Sequence, residues 1–169
     1  SYPRYTDLLL NGKRVRGVDG EVDFGGVSLQ GSYGQVRRGV EGILLETYTS
    51  DNTPLISNVI RIDSSKYGNP YGRVEFGLYE RDLLSGRLAF GSRNDFLVGI
   101  SFLHSKDDVQ SVDFGLKPQE NLVAGVDLGL SFDNRNIIIS GEAAMSVLNS
   151  DISTGSFTEE QIDSIYSSE

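Results

Sequence analysis

The chain has 169 residues, enough for one domain with a sizeable core. Its 24 acidic and 15 basic residues give a formal net charge of −9, which argues against nucleic acid as the main partner because a phosphate backbone binds a concentrated cationic face. The lack of Cys excludes disulfide scaffolds and thiolate metal sites, and a single His excludes a multi-histidine metal cluster. No apolar run approaches the ~20 residues of a membrane helix, but a membrane strand needs only ~9–11 residues.

Strict alternation of apolar with polar or small residues begins near the start of the chain and predicts a first β-hairpin. The runs Arg14–Phe24 and Val27–Glu41 both alternate, and Gly25-Gly26 between them predicts a tight turn. On the first run, the acidic residues lie on the face opposite the apolar ones; these are Asp19, Glu21 and Asp23.

Four later runs alternate in the same way and predict two more hairpins. In chain order they are Arg73–Gly91, Asp95–Val109, Asn121–Phe132 and Asn136–Asn149. The turns are expected at Ser92–Asn94 and Asp133–Asn136, where a similar corner sequence, Phe-x-x-Arg-Asn, occurs twice. These runs are longer than the ~5–6 residues of an average globular strand. The sequence therefore predicts an all-β antiparallel meander of long hairpins.

The connections between the hairpins are much longer than the turns within them. One spans about Ile43–Gly72 and the other Ser105–Glu120. Short turns at one end of a sheet and long loops at the other are typical of outer-membrane barrels. The expected organisation is an antiparallel sheet or barrel segment over residues 1–155, followed by an acidic tail over 156–169, where Thr158–Ser164 fits a short helix.

The two faces of the predicted sheet differ in chemistry. One face carries large apolar residues, and the other carries charges of both signs, including Arg87, Asp127 and Glu142, among Gly, Ser and Ala. On a membrane interpretation the lipid-facing side chains are Val98, Ile100, Val126, Leu128, Ile139 and Ala143. Four aromatic residues fall beside the short turns on this face, as in an interfacial girdle; they are Phe24, Phe90, Phe96 and Phe132. The alternative is that they close the bottom of a soluble β-sandwich core.

The long alternating strands, the Phe-x-x-Arg-Asn corners and the run Lys106–Asp127 resemble large Gram-negative outer-membrane β-barrel proteins of unassigned role. The resemblance covers about Val15–Ser153. It implies an antiparallel barrel, or part of one, with outer-membrane lipid as a partner. Six strands are fewer than the ~8 of the smallest bacterial barrels. A signal peptide and a terminal aromatic strand are also missing, so we expect a segment of a longer polypeptide or one member of an assembly.

This reasoning also predicts that the six strands do not close on themselves. Either neighbouring chains complete the sheet, or the Ser1–Leu10 segment and the long Ile43–Gly72 connection add strands to it. A long unpaired edge would otherwise invite pairing with another chain.

Few residues suggest chemistry. His104, with Ser105 and Asp107 nearby, is the only candidate general base of near-neutral pKa, but neighbours on a strand point to opposite faces, so no catalytic triad is expected. Two groups of oxygen-bearing side chains could bind Ca²⁺ but lack EF-hand spacing and are explained equally well as solvated loops; they are Asp107, Asp108 and Asp113, and Asp51, Asn52 and Asp63. The basic residues cluster at the loop end of the first hairpin, where lipopolysaccharide or a loop carboxylate could bind; they are Lys13, Arg14, Arg16, Arg37 and Arg38.

The leading hypothesis is a non-enzymatic outer-membrane β-barrel segment with a structural, transport or surface-binding role. Its partners would be membrane lipid and further β-strands, with no nucleic acid, cofactor or metal. The alternative is a soluble β-sandwich or open barrel, extracellular or periplasmic, that binds an apolar or glycan ligand. A hydrolase on a β scaffold has no supporting set of residues.

Overall fold

The structure, a computed structural model, describes residues 1–10, 12–92, 95–134 and 136–153. Within these ranges no helix is long and apolar enough to cross a membrane. The elements are β1 (Arg16–Asp23), β2 (Val27–Arg37), β3 (Ile43–Tyr48), a 3-10 turn (Ser50–Asn52), β4 (Val59–Arg61), α1 (Ser64–Tyr67), β5 (Tyr71–Glu75), β6 (Glu80–Gly91), β7 (Phe96–Asp108), β8 (Glu120–Phe132) and β9 (Ile137–Asn149). The fold is all-β, as the alternation predicts.

The main sheet has six strands in the order β1-β2-β6-β7-β8-β9, and every neighbouring pair is antiparallel. It is therefore the predicted meander, interrupted by one insertion between β2 and β6. The three hairpin connections lie where the sequence places them; residues 93, 94 and 135 of the later two lie outside the described residues. So does the expected helix at Thr158–Ser164.

The insertion forms a second sheet of three strands, in the order β3-β5-β4. The expectation of one continuous strand over Arg73–Gly91 is wrong, because β5 belongs to this small sheet and β6 to the main one. The break falls at Gly77, which lies so close to the Val40 carbonyl oxygen that a Cβ would collide with it. Short bridges from Leu78 to Val40 and from Gly77 to Gly115 hold the chain between the two sheets.

Residues 1–10 and 12–15 cross one face of the main sheet without joining it. The two ends of this segment are in contact, because the Ser1 ammonium donates a hydrogen bond to the Val15 carbonyl oxygen at 2.8 Å. The Tyr5 hydroxyl lies 3.0 Å from the Ser32 hydroxyl and donates to the Ser85 carbonyl at 3.3 Å. A small core forms beneath the segment from Tyr5, Leu10, Val15 and Leu83, with Val36 and Leu103 packed against it.

The main sheet is open. Among the described residues, β1 pairs only with β2 and β9 pairs only with β8. Of the two alternatives for completing the sheet, the one in which Ser1–Leu10 and the long connection add strands to it is wrong: the first lies across a face, and the second builds its own sheet. Both find partners for their backbone groups away from the edges, so no other part of the described chain pairs with the two edges.

The covered face is polar and contains a buried ion pair that spans three strands. Arg87 on β6 donates to Asp127 on β8 at 2.6 Å, and the two side chains are 5% and 14% exposed. Between them on β7 lies Gly99, where an added Cβ would come 2.6 Å from the Arg87 Nη2 atom and would collide with the Asp127 carboxylate. Because Gly99 has no side chain, Arg87 and Asp127 can meet across β7 at this position.

We expect Gly99→Ala to destabilise the sheet, because the new methyl group must displace the ion pair or distort β7. Displacing one member of a buried pair and overpacking a site each cost about 1–3 kcal/mol or more. Gly141→Ala on β9 is the matched control, because a Cβ there meets nothing within 4 Å. The measurement is the free energy of unfolding in detergent by denaturant titration; equal effects of the two substitutions would show that the ion pair does not need Gly99.

Candidate functional site

The second face of the main sheet is apolar and bare. Val98, Leu128 and Ile139, the residues whose exposure a membrane-facing surface requires, are 38%, 44% and 55% exposed. Neither residues 1–10 and 12–15 nor the small sheet covers them. Because the side chains of a strand point alternately to the two faces, the whole apolar set of each strand shares this surface.

The register places the apolar residues of all six strands side by side in rows. One row crosses the middle of the sheet and consists of Val22, Leu29, Leu88, Ile100, Val126 and Ala143. The next row toward the long loops is mostly small and consists of Gly20, Gly31, Gly86, Phe102, Ala124 and Met145. From the short turns to the row of His104, the described part of this face carries no Asp, Glu, Lys or Arg.

A fully polar row ends the apolar face at the loop side. It consists of Arg16, Gln35, Asp82, Lys106, Glu120 and Asn149, one residue from each strand. On β8 the apolar residues run from Leu122 to Phe132, a length of about 33 Å at ~3.3 Å per residue. Tilted by ~40°, as barrel strands are, this stretch would be about 25 Å tall, the height of the apolar band of outer-membrane barrels.

Aromatic rings mark the opposite, short-turn end of the same face. Phe24, Phe90, Phe96 and Phe132 are between 43% and 73% exposed. Among the described residues no second sheet packs against these rings. The face thus has a polar border at one end and a rim of Phe at the other.

His104 lies on the apolar face, and its Nε2 atom is 2.8 Å from Glu120 Oε1. Ser105 and Asp107 point to the other face and are buried there, so the structure does not bring the three residues together as a triad. The sequence analysis missed Glu120 as a neighbour of His104. The length of the β7–β8 loop leaves their register open, and without the register the pair is not visible in the sequence.

Asp107 is the centre of a buried ionic cluster at the loop end of the polar face. Its carboxylate accepts hydrogen bonds from Arg37 at 2.8 Å, from Arg81 at 2.6 and 2.9 Å, and from the Gln119 backbone N–H at 2.9 Å. Of the basic cluster, Arg37 is therefore bound to a loop carboxylate. Its companions Lys13, Arg14, Arg16 and Arg38 are exposed near the loop end.

The candidate Ca²⁺ ligands are used separately. Asp108 accepts the Gln110 backbone N–H, and Asp113 pairs with Lys66 at 2.5 Å, which lowers the pKa of Asp113. Asp63 caps α1 by accepting the Ser65 N–H, and Asp51 and Asn52 lie in the 3-10 turn. Within the described ranges no group of three or more potential ligands converges on a metal position.

A cavity of about 590 Å³ lies between the N-terminal segment and the polar face. Its lining includes Arg4, Asp7, Arg87, Asp127 and Glu142. The Glu142 carboxylate also accepts the Leu8 backbone N–H at 3.2 Å, which ties the segment to β9. The polar face therefore presents charged groups to this cavity, whereas the apolar face is uncharged from the short turns to the row of His104.

Comparisons with family models, with curated proteins and with solved structures gave no match.

We expect Leu128→Arg to prevent assembly and Gly129→Arg, one residue along on the opposite face, to be tolerated better. Arg at position 128 would lie in the middle of the uncharged face, and on the membrane interpretation a lipid-facing Arg costs about 2–4 kcal/mol. At Gly129 the nearest atom to an added Cβ is Leu97 Cβ at 3.7 Å, so there is room on the polar face. The readout is the folded fraction of each variant after refolding into detergent. Equal yields for both variants would contradict the assignment of the two faces.

Proposed function

We propose that this chain forms part of the wall of an outer-membrane β-barrel of a Gram-negative bacterium, with a structural, transport or surface-binding role and no enzymatic one. The observation that carries the proposal is the uncharged apolar face, which spans all six strands and ends at a fully polar row. Soluble monomers rarely expose contiguous apolar patches larger than a few hundred Å². Hydrocarbon would remove the cost of that exposure.

The polar reverse of the sheet supports the same proposal. A barrel interior is wet and filled by polar or small residues and, in some barrels, by a segment of chain. Here the ion pair of Arg87 with Asp127, the cavity beside it and the folded segment over residues 1–10 and 12–15 all lie on this face. In the proposed barrel this side is the lumen, and the segment partly fills it.

The two ends of the sheet suggest an orientation. Outer-membrane barrels have short turns on the periplasmic side and longer loops outside. The inserted three-stranded sheet and the β7–β8 loop lie at the end with the polar row, so we place that end at the cell surface. The Phe residues then lie at the periplasmic interface, where aromatic side chains are favoured.

A second candidate is a soluble secreted module, extracellular or periplasmic, in which a second sheet covers the apolar face or an apolar or glycan ligand binds it. The open sheet is compatible with this alternative. Strand length favours the membrane, because β7, β8 and β9 have 13 residues each, whereas globular strands average ~5–6. A polar row at one end and Phe at the other also match a bilayer better than a closed core.

Six strands do not complete the wall. Bacterial outer-membrane barrels have at least ~8 strands, so the proposal requires further strands, from the same polypeptide or from neighbouring chains, at the edges of β1 and β9. Closure would remove both unpaired edges.

The test is flotation of the refolded chain with zwitterionic lipid vesicles in a density gradient. We expect it to float with the vesicles and to stay with them in ~1 M salt, which screens surface charge attraction. An unheated sample should also migrate differently from a boiled one on a gel. A chain that stays in the dense fraction, and is monodisperse without detergent, would contradict the proposal and favour the soluble module.

A further inference from the structure

The edge strand β1 combines two features on one short segment. Its outer edge is unpaired in the described chain. Its polar face carries three carboxylates at alternate positions, Asp19, Glu21 and Asp23, and all three residues are exposed. Alternate residues of a strand are about 6.6 Å apart, so these carboxylates form a row of like charge along the edge.

The neighbouring strand offers these carboxylates no cation. Across the β1–β2 pair, Asp19 lies opposite Ser32, Glu21 opposite Gln30 and Asp23 opposite Ser28. The ion pairs formed among the described residues involve other acids. Asp23 accepts a hydrogen bond from the nearby Gly25 N–H at 2.7 Å. Arg87, two strands away, lines the same cavity as Glu21 and Asp23, but its guanidinium is paired with Asp127. A further cation for the row would therefore come from the open side of β1.

We infer that β1 pairs with an antiparallel strand of alternating apolar and basic residues. The Lys or Arg side chains of this strand face the polar side, opposite the three carboxylates. Its apolar residues continue the bare face beside Val18, Gly20 and Val22. Opposite charges directly across two strands stabilise the pairing, whereas like charges oppose it. In the proposed barrel this added strand is the next strand of the wall, and that role rests on the proposed function.

A second copy of the same chain does not have this chemistry. Its free edge is β9, whose residues on the polar face are Ile138, Ser140, Glu142, Ala144, Ser146 and Leu148. This set contains no cation, and Glu142 would add a fourth carboxylate. Direct pairing of β1 with β9 within one chain would likewise bring no cation to the carboxylate row. The occupant of the β1 edge is therefore a strand of different sequence.

The experiment measures binding of short synthetic peptides to the full chain in nonionic detergent by fluorescence anisotropy. One peptide alternates Val with Lys, and matched peptides carry Gln or Glu in place of Lys. A further control has the Val and Lys residues in separate blocks. We expect the alternating Lys peptide to bind about tenfold more tightly than the Gln peptide, from three cross-strand ion pairs. The Glu peptide should bind most weakly.

Two variants identify the edge. The triple variant Asp19→Asn, Glu21→Gln, Asp23→Asn should lose the preference for Lys, whereas Glu142→Gln, at the other edge of the same face, should keep it. Hydrogen exchange of the bound complex should slow over β1 and not over β9. The inference is overturned if no alternating peptide binds, if the block peptide binds as tightly, if the triple variant keeps the preference, or if protection falls on β9. Because the peptide assay needs no bilayer, a failure of the Lys peptide to bind can be told apart from a failure of the chain to float with vesicles.

Discussion

The structure depends on the pairing register of the six long strands. Because side chains alternate between faces, a shift of one residue in any pairing would move that strand's apolar set to the polar side. The observed register instead aligns the apolar residues of all six strands on one face. On every strand this apolar stretch ends at the same row, which contains Arg16, Asp82 and Lys106. A chain that keeps this alignment over 13-residue strands presents an apolar surface on one side of the sheet only.

The polar face is shaped by residues that lack a side chain. Gly99 leaves the path for the ion pair of Arg87 with Asp127, and Gly125 leaves room for Leu9, which is 2% exposed and would be 2.5 Å from a Cβ at position 125. Small residues on this side let the N-terminal segment lie close to the backbone of the sheet. The same two strands, β7 and β8, carry large apolar residues on their other face, so each strand has one polar and one apolar face.

Local pattern was enough to predict the meander and the hairpin positions, because alternation and turn residues are encoded within a few neighbours. It failed where contacts are distant in sequence. The break at Gly77 depends on Val40, the pairing of His104 depends on Glu120, and the burial of Asp107 depends on two arginines from β2 and β6. The apolar face was predicted residue by residue, whereas the path of the N-terminal segment was not, because nothing in its own pattern specifies the surface on which it packs.

The central claim is that one face of the sheet contacts hydrocarbon, and a labelling scan along β8 tests it most directly. The chain has no Cys, so single Cys residues can be introduced from Leu122 to Phe132 and labelled with an environment-sensitive fluorophore in lipid vesicles. The account predicts quenching by spin-labelled lipid chains at every second position, including Val126 and Leu128, and little at Asp127 or Gly129. Quenching at neither set, or equally at both, would contradict it.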